Sequence, residues 1–407
     1  MNPPNQPVSL LLKKQNDWIV SRTEQFASGR LWWLKVFILC VGFSILFSGG
    51  LDWGVIERGG CPESYVQKME HPLLDLAKIS PLNSHDANIN FRLTVPVFFH
   101  LTGIHSRWGP PVLTVLAVCS ILLTACFFVF QLTGDRVSAC FLALNVAATY
   151  AGSFGFIEYY DAIALSQLAL ACLPKMPWWG RGLLVFTAAF TDERALVAGL
   201  LVLVGAFFFS GGAPTLLARL RNPDWLAVAG GMAAYLAVRL VLMKYAGLSS
   251  PTGGTGPGRL LINFDFLHPG IWYSLEGGWL FYALAVGVLF WHRQLLAGSA
   301  LVLASLGFLV FAFMIGDLMR STIYIFPLLF VCVKIVRQNE SLPLFRTYCL
   351  LAFLISVVGG NYNVYLEKIT WFQPLVVHWL HLAVQVLYDW IYPLLPHTMP
   401  HAVPAAS

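Results

Sequence analysis

Residues 183–209 read LLVFTAAFTDERALVAGLLVLVGAFFF, apolar throughout except for Asp192, Glu193 and Arg194 at the centre. A single membrane-spanning helix is a poor reading of this stretch. Each charge at mid-membrane costs ~2.5–3.5 kcal/mol. On one helix the three residues would fan over about 200° of the circumference, so at least one would face lipid. The flanks agree: Lys175 and Arg181 precede the run, and Arg219 and Arg221 follow it, so both ends lie on the basic, cytoplasmic side. The pattern instead predicts a hairpin of two short helices with its apex at Thr191-Asp192-Glu193-Arg194. The ascending arm from Trp178 to Phe190 reaches only ~20 Å at 1.5 Å per residue. That is less than the ~30 Å hydrocarbon core, so the apex sits below the outer surface, in a polar cavity open to that side.

The whole chain has the composition that this reading requires. Of 407 residues, 57% are hydrophobic and only 11% charged, against roughly 25% charged in a soluble domain. The class is therefore an all-α polytopic membrane helix bundle. About eleven spans are expected, at 32–51, 110–132, 137–157, 162–174, 182–191, 195–210, 225–245, 278–291, 295–315, 321–336 and 347–366. Several are short. A cytoplasmic segment, 1–31, precedes the membrane domain, 32–366. Outer loops fall at 52–109 and 246–277, and an aromatic tail at 367–407 reads as an outer interfacial helix. The first apolar run follows a polar, basic segment and has no small-residue cleavage site after it, unlike a cleaved signal. The net charge of +5 is spread over short loops and points to no nucleic-acid partner. Of the eight cysteines only Cys61 lies outside the apolar runs, so no disulfide framework or metal motif is indicated.

The basic N-terminal segment sets the orientation, with the N-terminus cytoplasmic and the C-terminus outside. Only Asp17, Glu24, Asp135, Asp224 and Glu340 then fall on the cytoplasmic side; the other acids gather on the outer face. Two further clusters join the Asp-Glu-Arg apex there. In FGFIEYYDAIAL (154–165), Glu158 and Asp161 are three apart and share a helix face; in FMIGDLMRSTIYIFPLL (313–329), so do Asp317 and Arg320. Singly, each has a structural reading as a paired charge or a cap at a helix end. Together they outline a polar cavity in the outer leaflet. The first outer loop adds Asp52 directly after the first span, and Glu63 and Tyr65 after a Gly-Gly turn. It also offers two amphipathic helices, SYVQKMEHPLLDLAK (64–78) and FRLTVPVFFHLTGI (91–104), the second anchored at the interface by Arg92. The second outer loop, with SSPTGGTGPGRLL (249–261), reads as a flexible gate or linker and lacks a P-loop pattern.

In their order, these features resemble the C-type glycosyltransferase superfamily, polytopic enzymes that use polyprenyl-phosphate-linked sugars, and most of all its poorly characterised bacterial branch. The resemblance covers roughly residues 32–336. It rests on the acid after the first span, FRLTVP, EYYDAIAL with its short return span, FTDERALV, and GDLMRSTIYIFP. It implies sugar transfer from a polyprenyl phosphate to a glycan or protein acceptor at the outer face of a bacterial inner membrane. It places the catalytic base at Asp52 or Glu63, although Cys61-Pro62 stands where relatives tend to carry an acid near the Gly-Gly turn. The chemistry calls for a carboxylate base and for cationic donors to the phosphate leaving group. Arg92, Arg194 and Arg320 supply the cations. Glu158, Asp161, Asp192, Glu193 and Asp317 would orient them or bind sugar hydroxyls. No cofactor is implied, and a divalent metal stays open. Two other classes also stay open. A transporter or flippase of lipid-linked glycans would show paired broken helices in its two halves, and TDER has no second copy. A non-catalytic scaffold is the other.

Overall fold

The computed structural model describes residues 17–47, 55, 57–78, 89–154, 160–209, 216–249, 256–359, 362–365 and 368–371. The chain is an all-α bundle. Among the described residues, six helical stretches are long and apolar enough to cross a membrane. They are α4 (Gly109–Thr133), α9 (Pro223–Tyr245), the pair α11 (Leu267–Leu275) and α12 (Trp279–Trp291), α13 (Leu295–Phe313), the pair α14 (Leu318–Thr322) and α15 (Pro327–Asn339), and α16 (Leu342–Gly359). The other expected spans are also helices, but shorter: α1 (Trp32–Phe47), α5 (Arg136–Ala148), α6 (Asp161–Ala171), α7 (Trp178–Thr191) and α8 (Arg194–Phe209). Two short helices, α2 (Glu63–Glu70) and α3 (Thr94–Thr102), lie in the first long loop, and α10 (Pro257–Phe264) in the second.

Local chemistry sets the boundaries. Asp135 caps α5 by accepting from the Ser138 N–H at 2.9 Å. Pro110 and Pro111 open α4, and Gly134 closes it in the left-handed region at φ 70°. The helix expected over 64–78 stops at Glu70, because Pro72 disfavours helical backbone at His71. Residues 256–275, read as part of a flexible loop, are largely helical instead. Beyond 361, the described part of the tail is not a helix but a two-stranded antiparallel hairpin, β1 (Tyr362–Tyr365) with β2 (Lys368–Trp371), in which Tyr362 pairs with Trp371.

Contacts sort the loops onto two ends of the bundle. At one end Arg346 forks onto Asp135 at 2.7 and 3.0 Å and reaches Glu24 at 3.0 Å. There, too, Arg136 donates to the Ala27 carbonyl and Arg181 pairs with Asp224. Ten residues further along each helix, Ser356 of α16 donates to Asn145 of α5 at 3.0 Å. The two helices therefore run side by side in the same direction. α7 and α9 pack backbone to backbone: a Cβ on Gly231 would lie 2.3 Å from the Gly182 carbonyl oxygen. This close approach through small residues holds the α7–α8 hairpin against the bundle.

Candidate functional site

The Asp-Glu-Arg triplet is the apex of that hairpin. α7 has 14 residues, a rise of ~21 Å. At Asp192 the backbone turns extended (φ −154°, ψ 129°). The Asp192 carboxylate folds back, accepts the Arg194 N–H at 3.0 Å, and so caps α8. It also accepts from Arg194 Nε at 2.8 Å and Nη2 at 2.7 Å, a bidentate fork within one turn. Asp192 is fully buried.

From this apex the charges continue in strict alternation across segments far apart in sequence. Arg92, just before α3, places Nη2 3.0 Å from Asp192 Oδ2. Arg194 Nη2 donates to Asp161 Oδ1 at 2.5 Å. Arg320 donates through Nε to Asp161 Oδ2 at 2.7 Å, and through Nη1 to Asp317 Oδ2 at 2.8 Å. The order is Arg92, Asp192, Arg194, Asp161, Arg320, Asp317, with no net charge. Asp161 occupies the first turn of α6, where the helix dipole favours an anion. Tyr324 donates to Asp161 Oδ1 at 3.1 Å, and its ring lies 5.0 Å beneath the Arg194 guanidinium. Buried charge is tolerated only when paired in this way.

The members differ in what they leave open. Asp161 and Asp192 are engaged on both oxygens by arginine. They therefore orient guanidinium groups and have little left for a sugar hydroxyl. Arg194 is engaged through Nε and Nη2, and its Nη1 reaches Ser321 Oγ at 3.4 Å. Arg92 is different: its Nε and Nη1 are buried without a hydrogen-bond partner among the described residues. Glu193 Oε2 lies 3.7 Å from that Nε, beyond hydrogen-bond length. Glu193 and Asp317 are the partly exposed acids, with side chains 37% and 27% exposed, although Glu193 Oε2 is itself buried and makes no hydrogen bond among the described residues. The buried Tyr160 hydroxyl is likewise without a partner among the described residues, beside the Tyr65 ring at 5.0 Å.

Of the residues singled out by sequence, Arg92, Asp161, Asp192, Glu193, Arg194, Asp317 and Arg320 come together. Arg92 does not anchor an interfacial helix as expected. It points inward, where its Nη2 shares the buried Asp192 Oδ2 with Arg194. Glu63 opens α2 and is exposed, with no ion pair or hydrogen bond to the cluster among the described residues. Asp52 and Glu158 lie outside the described residues. Tyr324, Ser321 and Tyr160 were not singled out; Tyr324 follows Arg320 by four residues, at helix-face spacing, while Ser321 is its direct neighbour in the chain and Tyr160 that of Asp161. Among the described residues, no group of three or more His, Cys, Asp or Glu is placed to hold a metal ion. Compared with known proteins, the chain matches no family model, no curated protein and no solved structure.

Proposed function

We propose that the protein transfers a sugar from a polyprenyl-phosphate donor to an acceptor hydroxyl at the outer face of a bacterial inner membrane, with Arg92 holding the phosphate. The observation that carries this reading is Arg92 itself, a buried guanidinium at the head of the charge chain whose Nε and Nη1 make no hydrogen bond among the described residues, with Glu193 3.7 Å from Nε. Guanidinium groups suit phosphate oxygens because they donate two parallel bonds. The chain behind it fixes Arg92 through Asp192, and Asp192 through Arg194, so the orientation of the guanidinium is set before a ligand arrives. In the transfer, a carboxylate of the first outer loop, Asp52 or Glu63, takes the acceptor proton. The acceptor oxygen bonds to the anomeric carbon, the bond from that carbon to the phosphate oxygen breaks, and the phosphate leaves on Arg92. Glu193, half-exposed beside Arg92, is placed to bind a sugar hydroxyl.

The test is thermal stability of the purified protein titrated with undecaprenyl phosphate. A ligand that binds only the native state at 100 times its Kd stabilises it by ~2.7 kcal/mol. The wild type should be stabilised. Arg92→Gln should lose the shift, and Arg92→Lys should keep part of it. No shift in the wild type would overturn the reading.

A further inference from the structure

Glu276 belongs to none of the contacts above. It sits in the break between α11 and α12, fully buried, with left-handed backbone at φ 48°. A side chain other than glycine rarely adopts that conformation unless its surroundings impose it. They do so here. Its neighbour Gly277 is pressed so closely on α16 that a Cβ would lie 1.8 Å from the Ala352 carbonyl oxygen. The Gly277 N–H donates to Ser356 Oγ at 2.9 Å, and Ser356 donates to Asn145 Oδ1 at 3.0 Å. The break is therefore clamped by α16 and, through Ser356, by α5.

The clamp leaves polar atoms without partners. Both Glu276 carboxyl oxygens and Asn145 Nδ2 are buried and make no hydrogen bond among the described residues. The polar group facing the carboxyl is the Tyr150 peptide N–H, short of hydrogen-bond geometry. The charged groups beyond Tyr150 are Asp161, Asp317, Arg194 and Arg320, already engaged with one another. No cation pairs with Glu276 among the described residues. A bare carboxylate at this depth is among the costliest groups a membrane protein can hold, so one positive charge has to come with it. A metal ion fits poorly. It needs several oxygen ligands, but the Asn145 oxygen is taken by Ser356 and the open edge of that amide is an N–H donor.

We propose that Glu276 is a proton-binding site within the membrane domain, held as the neutral acid while the α11–α12 break is closed against α16. This does not depend on the glycosyl-transfer reading. The bound proton is the condition for the clamp to close.

The experiment is infrared spectroscopy of the full-length protein in lipid nanodiscs at neutral pH, comparing wild type with Glu276→Gln. The expected result is a carboxylic-acid carbonyl band, shifted in heavy water, that is present in the wild type and lost in E276Q. Because Gln mimics the neutral acid, E276Q should keep the wild-type melting temperature while Glu276→Ala lowers it. Absence of the band from the wild type would overturn the proposal. So would its disappearance on adding sodium at constant pH, which would make the ligand a metal cation. Should E276Q fail to fold, Glu276→Asp serves: its shorter acid should move the band, and an unmoved band would count equally against the proposal.

Discussion

Asp161 is the acid through which the charge chain passes from one half of the bundle to the other, so Asp161→Asn tests whether the chain acts as a unit. The carboxylate accepts Arg194 Nη2, Arg320 Nε and Tyr324 Oη, at 2.5, 2.7 and 3.1 Å. Asparagine keeps the shape and one acceptor oxygen but removes the charge and turns an N–H2 group toward a guanidinium. Hydrogen bonds to charged groups contribute ~1.5–3 kcal/mol each, and breaking a buried pair from one side costs ~3–5 kcal/mol. With Arg194 still held by Asp192 and Arg320 by Asp317, the expected loss is about 4 kcal/mol. The neutralising double variant, Asp161→Asn with Arg320→Gln, removes one charge of each sign. It should cost less than the sum of the two single changes, by ~2–3 kcal/mol. Equilibrium unfolding in mixed micelles measures all three variants. A single-variant loss under ~1 kcal/mol, or additivity within ~0.5 kcal/mol, would refute a coupled chain.

Two further outcomes follow from the loops and breaks. Lys68, buried in α2, donates to the Pro72 and Asn90 carbonyls, and burial pushes its ammonium down to about 8 against the pull of nearby Asp75. The folded state therefore sheds this proton before the unfolded state does, so stability rises between pH 8 and the ordinary lysine range, by at most about 3 kcal/mol. Limited proteolysis of the first loop should slow over that range in the wild type and stay flat in Lys68→Met; equal pH dependence would refute the assignment. Gly277→Ala should abolish accumulation of folded protein, because its Cβ would collide with the Ala352 carbonyl oxygen. Gly287→Ala, in open space on α12, should be neutral or stabilising by up to ~1 kcal/mol; similar melting curves for the two would show that the clamp yields.

The Asp-Glu-Arg apex was legible because charges inside an apolar run allow few arrangements, and the flanking basic residues selected one of them. Asp317 and Arg320 were legible for a simpler reason: a pair three apart on a helix meets whatever the surroundings, here at 2.8 Å. The destination of Arg92 was not. FRLTVP fits an interfacial helix whose arginine turns to the surface as well as one whose arginine turns inward, and only the position of Asp192, 100 residues later in the chain, decides between them. The same limit hid which acids are engaged and which open, since that depends on pairings between α6, α8 and α14. Glu276 was not legible because SLEGGW falls at the end of the second outer loop, 246–277, directly before the span expected at 278–291. Its burial comes from α16, which packs on Gly277 and is the last long helix described in the chain.

An alternating chain of charges explains how four segments are held together, but it does not by itself require a ligand. What breaks the alternation is Glu193, a carboxylate in excess of the guanidinium groups, half-exposed and 3.7 Å from Arg92 Nε. If Arg92 holds a phosphate, Glu193 opposes it. Two like charges ~7 Å apart at an effective dielectric of ~20 repel by ~2 kcal/mol, and solvent at a half-exposed site reduces this to ~1 kcal/mol. Glu193→Gln should therefore tighten binding of undecaprenyl phosphate about fivefold, while removing a carboxylate suited to a sugar hydroxyl. The same variant should bind a sugar-bearing polyprenyl phosphate no better than the wild type. Weaker binding of the bare lipid phosphate by E193Q would mean that Arg92 is held open by Glu193 rather than opposed by it, and that the phosphate site lies elsewhere.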